Sequence, residues 1–358
     1  MSSEFGKLFK VSVFGESHGE AIGCVINGLP AGEKIDLERL YAFMKRRAPG
    51  SGLATSRKEE DRPRFLSGIR DGVLTGAPLC AIIENKDTRS GDYAFGNTPR
   101  PGHADYTAAV KYKGQADMRG SGHFSGRLTA PLCIAGGIAL QLLEKKGIYI
   151  GAHLQSVGHL MDEDFPLHPT KELFEEIAKK PLAVISDDAL EAFSEEIQAT
   201  RQRKDSVGGC IEVAAIGIPA GLGEPMFDGI ENRLAQAIFG IPAVKGLEFG
   251  MGFASARLNG SQNNDEFCIE NGKVMTRTNN AGGILGGITT GMPLTFRAAM
   301  KPTPSIGIKQ NTVKLSTLED ATVEIKGRHD PCVALRAVPV FEAVTAAVIY
   351  DIVLEEKI

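Results

Sequence analysis

Three histidines lie in short strings bounded by glycine and rich in charge: Gly15-Glu16-Ser17-His18-Gly19, Arg100-Pro101-Gly102-His103-Ala104-Asp105-Tyr106-Thr107 and Gly327-Arg328-His329-Asp330-Pro331. The chain holds 7 histidines in 358 residues, so three in such company mark candidate sites rather than background. Imidazole is the side chain that exchanges a proton most readily near neutral pH. Neighbouring glycine lets backbone come close to a ligand. Together they point to proton transfer at a site assembled from loops.

The arginines point to an anion. Arg46-Arg47 closes a predicted helix, Arg119 and Arg127 flank a glycine-rich turn, and Arg328 and Arg336 bracket Asp330. Guanidinium forks grip carboxylate and phosphate bidentately, which a lysine point charge cannot do. Lys301-Pro302-Thr303-Pro304-Ser305 adds a cation and two hydroxyls in a proline-stiffened turn, a phosphate cradle or simply a rigid loop.

Two other chemistries compete. Gly15-Glu16-Ser17-His18-Gly19 matches Gly-x-Ser-x-Gly, the hydrolase nucleophile elbow, which needs a strand before the serine and a helix straight after it. Residues 21–26 read as a second strand instead. His18, His103, His329 and Asp330 are types that ligate metal, yet no pair has His-x-x-x-His spacing, and no metal is expected. His153, His159 and His168 read as solvated or locally satisfied.

The elements that must position these strings follow from patterning. Strands at 8–14 and 22–27 flank a turn at 16–20. Asp36 caps a helix reaching Arg47, and residues 48–62 form a long polar loop. Strands are expected near 64–69 and 79–84, a charged loop at 86–104 and a helix at 105–113. An apolar helix spans 125–146. Beyond it come a strand (148–157), polar helices (170–179, 187–203), a strand (209–218) and a helix (228–239). Glycine-rich strands and loops follow position 244. A closing helix begins about 332, where Pro339 either kinks it or sets its start. Strands and helices mix without the strict alternation of a doubly wound sheet, which gives an α+β class.

Composition narrows the partners. Net charge is -4, from 40 basic and 44 acidic residues, and there is no tryptophan, so neither nucleic acid nor an anionic membrane is favoured. The six cysteines lie apart with no Cys-x-x-Cys pair, which fits reduced thiols in a cytoplasm. No secretory signal is visible. The apolar stretches 130–143 and 344–354 are shorter than the roughly 20 residues of a membrane span and read as buried helices. Glycine numbers 42 against about 25 at average usage, and clusters at 119–126, 246–252 and 282–287.

These strings, in order, resemble those of the chorismate synthases. The match rests on Phe14-Gly15-Glu16-Ser17-His18-Gly19, Arg100-Pro101-Gly102-His103-Ala104-Asp105-Tyr106, Gly221-Leu222-Gly223-Glu224-Pro225 and Ala243-Val244-Lys245-Gly246. Asn280-Ala281-Gly282-Gly283-Ile284-Leu285-Gly286-Gly287, Lys301-Pro302-Thr303 and Gly327-Arg328-His329-Asp330-Pro331-Cys332 complete it. The resemblance runs from residue 6 to about 350 and implies one domain over 1–358. It further implies a β-α-β sandwich, with long helices between two antiparallel sheets, in a homotetramer.

The implied reaction converts 5-enolpyruvylshikimate 3-phosphate to chorismate by anti 1,4-elimination of phosphate, with reduced FMN and no net redox change. By the same resemblance His18 protonates the leaving phosphate, His103 stabilises reduced flavin, and Asp330 helps the flavin take the ring proton. FMN contacts fall on His123, Phe124, Ser125, Pro242, Ala243, Gly286, Lys301, Pro302, Thr303, Pro304, Ser305 and Arg328. Substrate contacts fall on Ser17, Arg47, Arg119, Arg127 and Arg336. The chain departs from the family pattern at His123-Phe124-Ser125-Gly126-Arg127-Leu128-Thr129, where Arg-Ser-Ser-Ala-Arg-Glu-Thr is usual, and also at Leu53 and Asn280. These changes bear on flavin affinity and on any NADPH contact near Leu53. With no reductase-like segment visible, reduced flavin is expected from outside, and NADPH acts only indirectly through a flavin reductase.

Overall fold

The computed structural model describes residues 3–48, 53, 61–86, 97–325 and 329–357. Two five-stranded sheets are built from strands named in chain order. The first contains β1 (Glu4–Phe5), β2 (Lys10–Gly15), β3 (Ala21–Asn27), β4 (Arg64–Ser67) and, after the ribbon β5 (Ile69–Arg70) and β6 (Val73–Leu74), β7 (Leu79–Glu84). Its order is β1-β2-β3-β7-β4, antiparallel throughout. The second contains β8 (Tyr149–Val157), β9 (Leu160–Met161), β10 (Gly209–Ile216) and β11 (Val244–Phe249). Two two-stranded ribbons come next: β12 (Phe267–Glu270) with β13 (Lys273–Thr276), then β14 (Ile284–Leu285) with β15 (Ile288–Thr289). β16 (Leu294–Met300) returns to the second sheet, whose order is β11-β16-β10-β8-β9, again antiparallel.

Among the described residues, eight α-helices serve these sheets. They are α1 (Leu37–Arg47), α2 (Asp105–Lys111), α3 (Thr129–Glu144), α4 (Lys171–Lys179), α5 (Asp187–Gln202), α6 (Ile230–Ile238), the single turn α7 (Gly260–Asn263) and α8 (Ala334–Glu355). Several of their N-termini carry side-chain caps, the expected Asp36 among them. The Asp36 carboxylate accepts from Arg39 N at 3.0 Å, and Thr170 and Ser186 cap α4 and α5 with their hydroxyls.

α3 packs on β2, β3 and β7, α8 packs on β8 and β10, and the two helices pack on each other. The layers are therefore sheet, helices, sheet, as the resemblance implied. A helix covered on both sides must be apolar nearly all round. Residue by residue α3 and α8 meet that demand, with buried Ile134, Ile138, Leu142, Phe341, Val344 and Ile349. α8 corrects one expectation: at 22 residues it is long enough to cross a membrane, but 94% of its most apolar window is buried inside this fold. Pro339 lies within α8, which starts at Ala334, so the proline does not mark the start.

Gly136 of α3 sits against α8. A Cβ there would stand 2.2 Å from both Cα and O of Ala343. Gly136→Ala is expected to destabilise the fold by about 1–3 kcal/mol through overpacking, despite alanine's better helix propensity of roughly 1 kcal/mol. Chemical denaturation checks this; an unchanged midpoint would show that the helices are free to separate.

The two ends of the described chain are also joined. Asp351, buried on α8, accepts from the backbone N–H groups of Lys7, Leu8 and Phe9 at 2.8, 2.7 and 2.6 Å and pairs with Arg233 of α6. The start of β2 is thereby fixed to the closing helix.

His153 corrects another expectation. It is fully buried on β8, with Nε2 2.8 Å from Glu212 Oε2 and Nδ1 3.3 Å from Asp162 Oδ2. Burial lowers its pKa, and the two carboxylates outweigh that, so the net displacement is upward. Strand β8 is covered on both faces, which leaves the ring no route to solvent.

Candidate active site

The β2–β3 hairpin tip presents Ser17 and His18, both buried. Ser17 N donates to Gly122 O at 3.1 Å, and the Asn85 amide donates to Glu16 O and Gly19 O, fixing the tip. After Gly19 the chain enters β3 rather than a helix, so no nucleophile elbow forms. The apposed turn Gly120-Ser121-Gly122 has φ of 58°, 74° and 53°. That left-handed run brings bare backbone against the imidazole: a Cβ on Gly120 would lie 2.4 Å from His18 Nε2.

In front of Gly120 opens a cleft of about 640 Å³. One end is cationic and built where α1, α3 and α8 begin or end. Arg47 closes α1, Arg127 lies in the 3₁₀ turn Gly126–Leu128 leading into α3, and Arg336 lies in the first turn of α8. Buried Asp61 bonds to both Arg47 Nη2 and Arg127 Nη1. Arg127 Nε reaches Asn85 Oδ1 at 3.1 Å. Arg336 donates to Asp330 Oδ2 at 2.8 Å and to Arg47 O at 3.0 Å. Burial raises the Asp61 carboxyl, and the two guanidiniums more than reverse this, holding it below the usual carboxylate range. Burial lowers Arg336, which Asp330 only partly opposes. Arg46, by contrast, is spent in a bidentate pair with Glu342 at 2.6 and 2.9 Å.

The other end holds Arg100, His103 and Asp105. Arg100 grips Asp105 through Nε and Nη2, both at 2.7 Å, and donates from Nη1 to Ser305 Oγ at 3.0 Å. His103 Nδ1 lies 2.7 Å from Asp105 Oδ1. Burial lowers the His103 pKa, the Asp105 bond opposes it, and nearby Arg100 and Lys301 add to the lowering. Asp105 is held far below the carboxylate range by the hydrogen bonds from Arg100 and His103, against its own burial. Lys301 bonds to Gly102 O, and its own burial, with Lys245 nearby, lowers its pKa.

Between the ends runs an apolar wall of Phe239, Ile241, Pro242, Val244 and Met300, faced by Val333 and Val340. Ala243 in this wall takes a left-handed φ of 75°, unusual for a residue with a side chain. Phe124, Ser125, Thr303, Pro304 and His329 complete the lining. His123 also lines it, tied by Nδ1 to Gly15 O and by Nε2 to Ser3 Oγ, both at 2.8 Å.

Most residues singled out in the sequence thus converge. His18 and Ser17 stand behind Gly120 rather than on the surface of the cleft. Pro302 is exposed beside it. Arg119 is not brought in: it points to solvent and pairs with Asp117 at 2.5 Å. Gly286 is not brought in either. Its ribbon tip lies by the N-terminus of α6, where Ile230 N donates to Gly287 O, whereas the cleft lies beyond the other end of that helix. Arg328 and the polar loop 54–60 fall outside the described residues. Sequence reasoning assigned no role to Asp61, Asp105, Arg100, Gly120 or the Phe239–Ile241 wall. Arg100 and Asp105 carried a signal by sharing a string with His103, and Gly120 by lying in the glycine cluster at 119–126.

A sequence profile described as chorismate synthase matches residues 9–354. The chain is 48% identical over 353 residues to the chorismate synthase of Thermococcus kodakarensis, covering 98% of each. It is 46% identical over 368 residues to that of Lancefieldella parvula, covering 98% of this chain and 96% of the relative. A solved crystal structure of chorismate synthase superposes with a TM-score of 0.78 at 29% identity, over 98% of this chain and 93% of that one. With full-length likeness in sequence and the same layered fold, the chain belongs to the chorismate synthase family.

Proposed function

We propose that the chain converts 5-enolpyruvylshikimate 3-phosphate to chorismate and inorganic phosphate by anti 1,4-elimination, with reduced FMN held in the cleft. Family membership supports the reaction. The observation that carries the site is the cation set, three guanidiniums at one end and Lys245 and Lys301 at the other, on a chain of net charge -4. The substrate bears a phosphate and two carboxylates, and forked donors suit all three.

The lining fits a flavin nucleotide as well. A ring system can lie on the Ile241–Val244 and Met300 wall, while Lys301, Thr303 and Ser305 supply a cation and hydroxyls for its phosphate. The cleft volume falls in the roughly 300–1,000 Å³ range of ligand pockets. When bound, reduced FMN supplies electron density to the allylic system and a basic nitrogen for the departing ring proton.

The chain's own residues do the rest. Arg47, Arg127 and Arg336 hold the substrate anions. His18, across the bare Gly120 backbone from the cleft, supplies a proton to the leaving phosphate. His103, a neutral imidazole by its lowered pKa, gains a proton when an anionic group settles beside it. Asp330, held by Arg336, assists the removal of the ring proton. NADPH enters only through a separate flavin reductase. The protein works in the cytoplasm as a homotetramer; exposed Phe227 (86%), Phe253 (81%) and Ile269 (71%) support association, which sedimentation will measure.

The decisive experiment is anaerobic turnover of the substrate with chemically reduced FMN. Phosphate release that requires reduced FMN is expected; binding without release would overturn the reading. Gly120→Ala tests the site locally. The methyl collides with His18 and strains the backbone, so turnover should fall on the order of 10²-fold, as misplacement by about 1 Å commonly costs. A wild-type rate would show that His18 need not stand where it does.

A further inference from the structure

Arg100, His103 and Asp105 form a unit in which one carboxylate oxygen is shared. Asp105 Oδ1 lies 2.7 Å from His103 Nδ1 and 2.7 Å from Arg100 Nη2. Arg100 Nη2 is also 3.0 Å from the same Nδ1 and 3.4 Å from Nε2, a longer contact that leaves Nε2 open to a closer partner. A proton on Nδ1 would donate to the carboxylate; a lone pair there would face an anion at 2.7 Å and be repelled. The two hydrogens of Nη2 have other acceptors, Asp105 Oδ1 and Ser121 Oγ at 3.2 Å. The guanidinium therefore does not need the imidazole lone pair, and Nδ1 is left to the carboxylate.

We propose that Asp105 is a positioning residue that fixes His103 as the Nδ1–H tautomer, leaving Nε2 as the atom that exchanges a proton with the ligand in the cleft. The inference rests on the proposed function for what that atom serves, but not for the tautomer itself. Arg100 completes the device by keeping Asp105 ionised through Nε and Nη2, with Ser305 and Ser121 holding the guanidinium plane. His103 thus presents the same nitrogen in every turnover, as the orienting carboxylate of a Ser-His-Asp triad does for its histidine.

The test uses the full chain labelled with ¹⁵N-histidine, with the His103 signals identified by their loss in His103→Gln. Long-range ¹H–¹⁵N correlation above pH 8 should show a pyrrole-like Nδ1 and a pyridine-like Nε2 in the ligand-free protein. The opposite pattern overturns the proposal whatever the activity. Asp105→Asn should raise the share of the other tautomer and lower kcat roughly 10²-fold or more, with KM changed far less. An unchanged tautomer and an unchanged kcat in that variant also overturn it. If Asp105→Asn does not fold, the wild-type spectrum still decides. If the spectrum is as expected but the wild type releases no phosphate, the functional reading fails and the dyad stands.

Discussion

Alanine in place of His18 or His103 is expected to slow phosphate release by about 10²–10⁴-fold, the usual share of a positioned acid or base. His18 is 7% exposed and wedged against Gly120. His103 is set by Asp105 and, by its lowered pKa, waits unprotonated for an incoming anion. Neither removal should unfold the protein, because each ring lies at the edge of the core rather than within it. Single-turnover phosphate release with reduced FMN, beside a thermal melt, checks both statements. Near-wild-type rates in both variants would mean that other groups carry the protons.

Asp61→Asn is expected to cost about 3–5 kcal/mol of stability, the typical consequence of stranding buried charge. The wild-type carboxylate serves two guanidiniums, Arg47 and Arg127, and is itself buried. The amide is the same size but neutral, so two buried cations lose their shared counter-ion beside a third, Arg336. The sign with pH follows from linkage. A carboxyl whose folded pKa lies below its unfolded value contributes stability above the unfolded pKa and loses it as pH falls through the folded one. Acid should therefore weaken the wild type more steeply than Asp61→Asn below the ordinary carboxylate range. Denaturation midpoints across that range measure it, and parallel acid limbs would show that Asp61 is not the group being titrated.

The fold was largely legible because its elements obey local rules. The β2–β3 hairpin, the Asp36 cap and the two apolar helices were each set by patterning within a few residues, and burial in the structure agrees with them. The start of α3 was not: the expected helix at 125 begins at Thr129, after a 3₁₀ turn that aims Arg127 inward. The histidine strings and Arg47 were legible through residue type and glycine company. Asp61 was not, because an acid in the charged run Arg57-Lys58-Glu59-Glu60-Asp61-Arg62 looks solvated. Its role exists only once α1 and the approach to α3 bring Arg47 and Arg127 together. His153 was misread for a like reason, since nothing nearby in sequence shows that β8 is covered on both faces. Arg119 and Gly286 show the converse. Their sequence neighbourhoods look like those of the converging residues, but one side chain has a surface partner in Asp117 and the other position lies past the far end of α6.

The tie between Asp351 and the backbone of residues 7–9 has a consequence for synthesis on the ribosome. Every strand of the second sheet is translated before α8, so the face of β8 and β10 that α8 covers must wait, uncovered, for that final helix. The nascent chain cannot lock its first strand until nearly all of the described polypeptide has emerged. The second layer is therefore completed late, and the interval before α8 emerges is when a chaperone has most to shield.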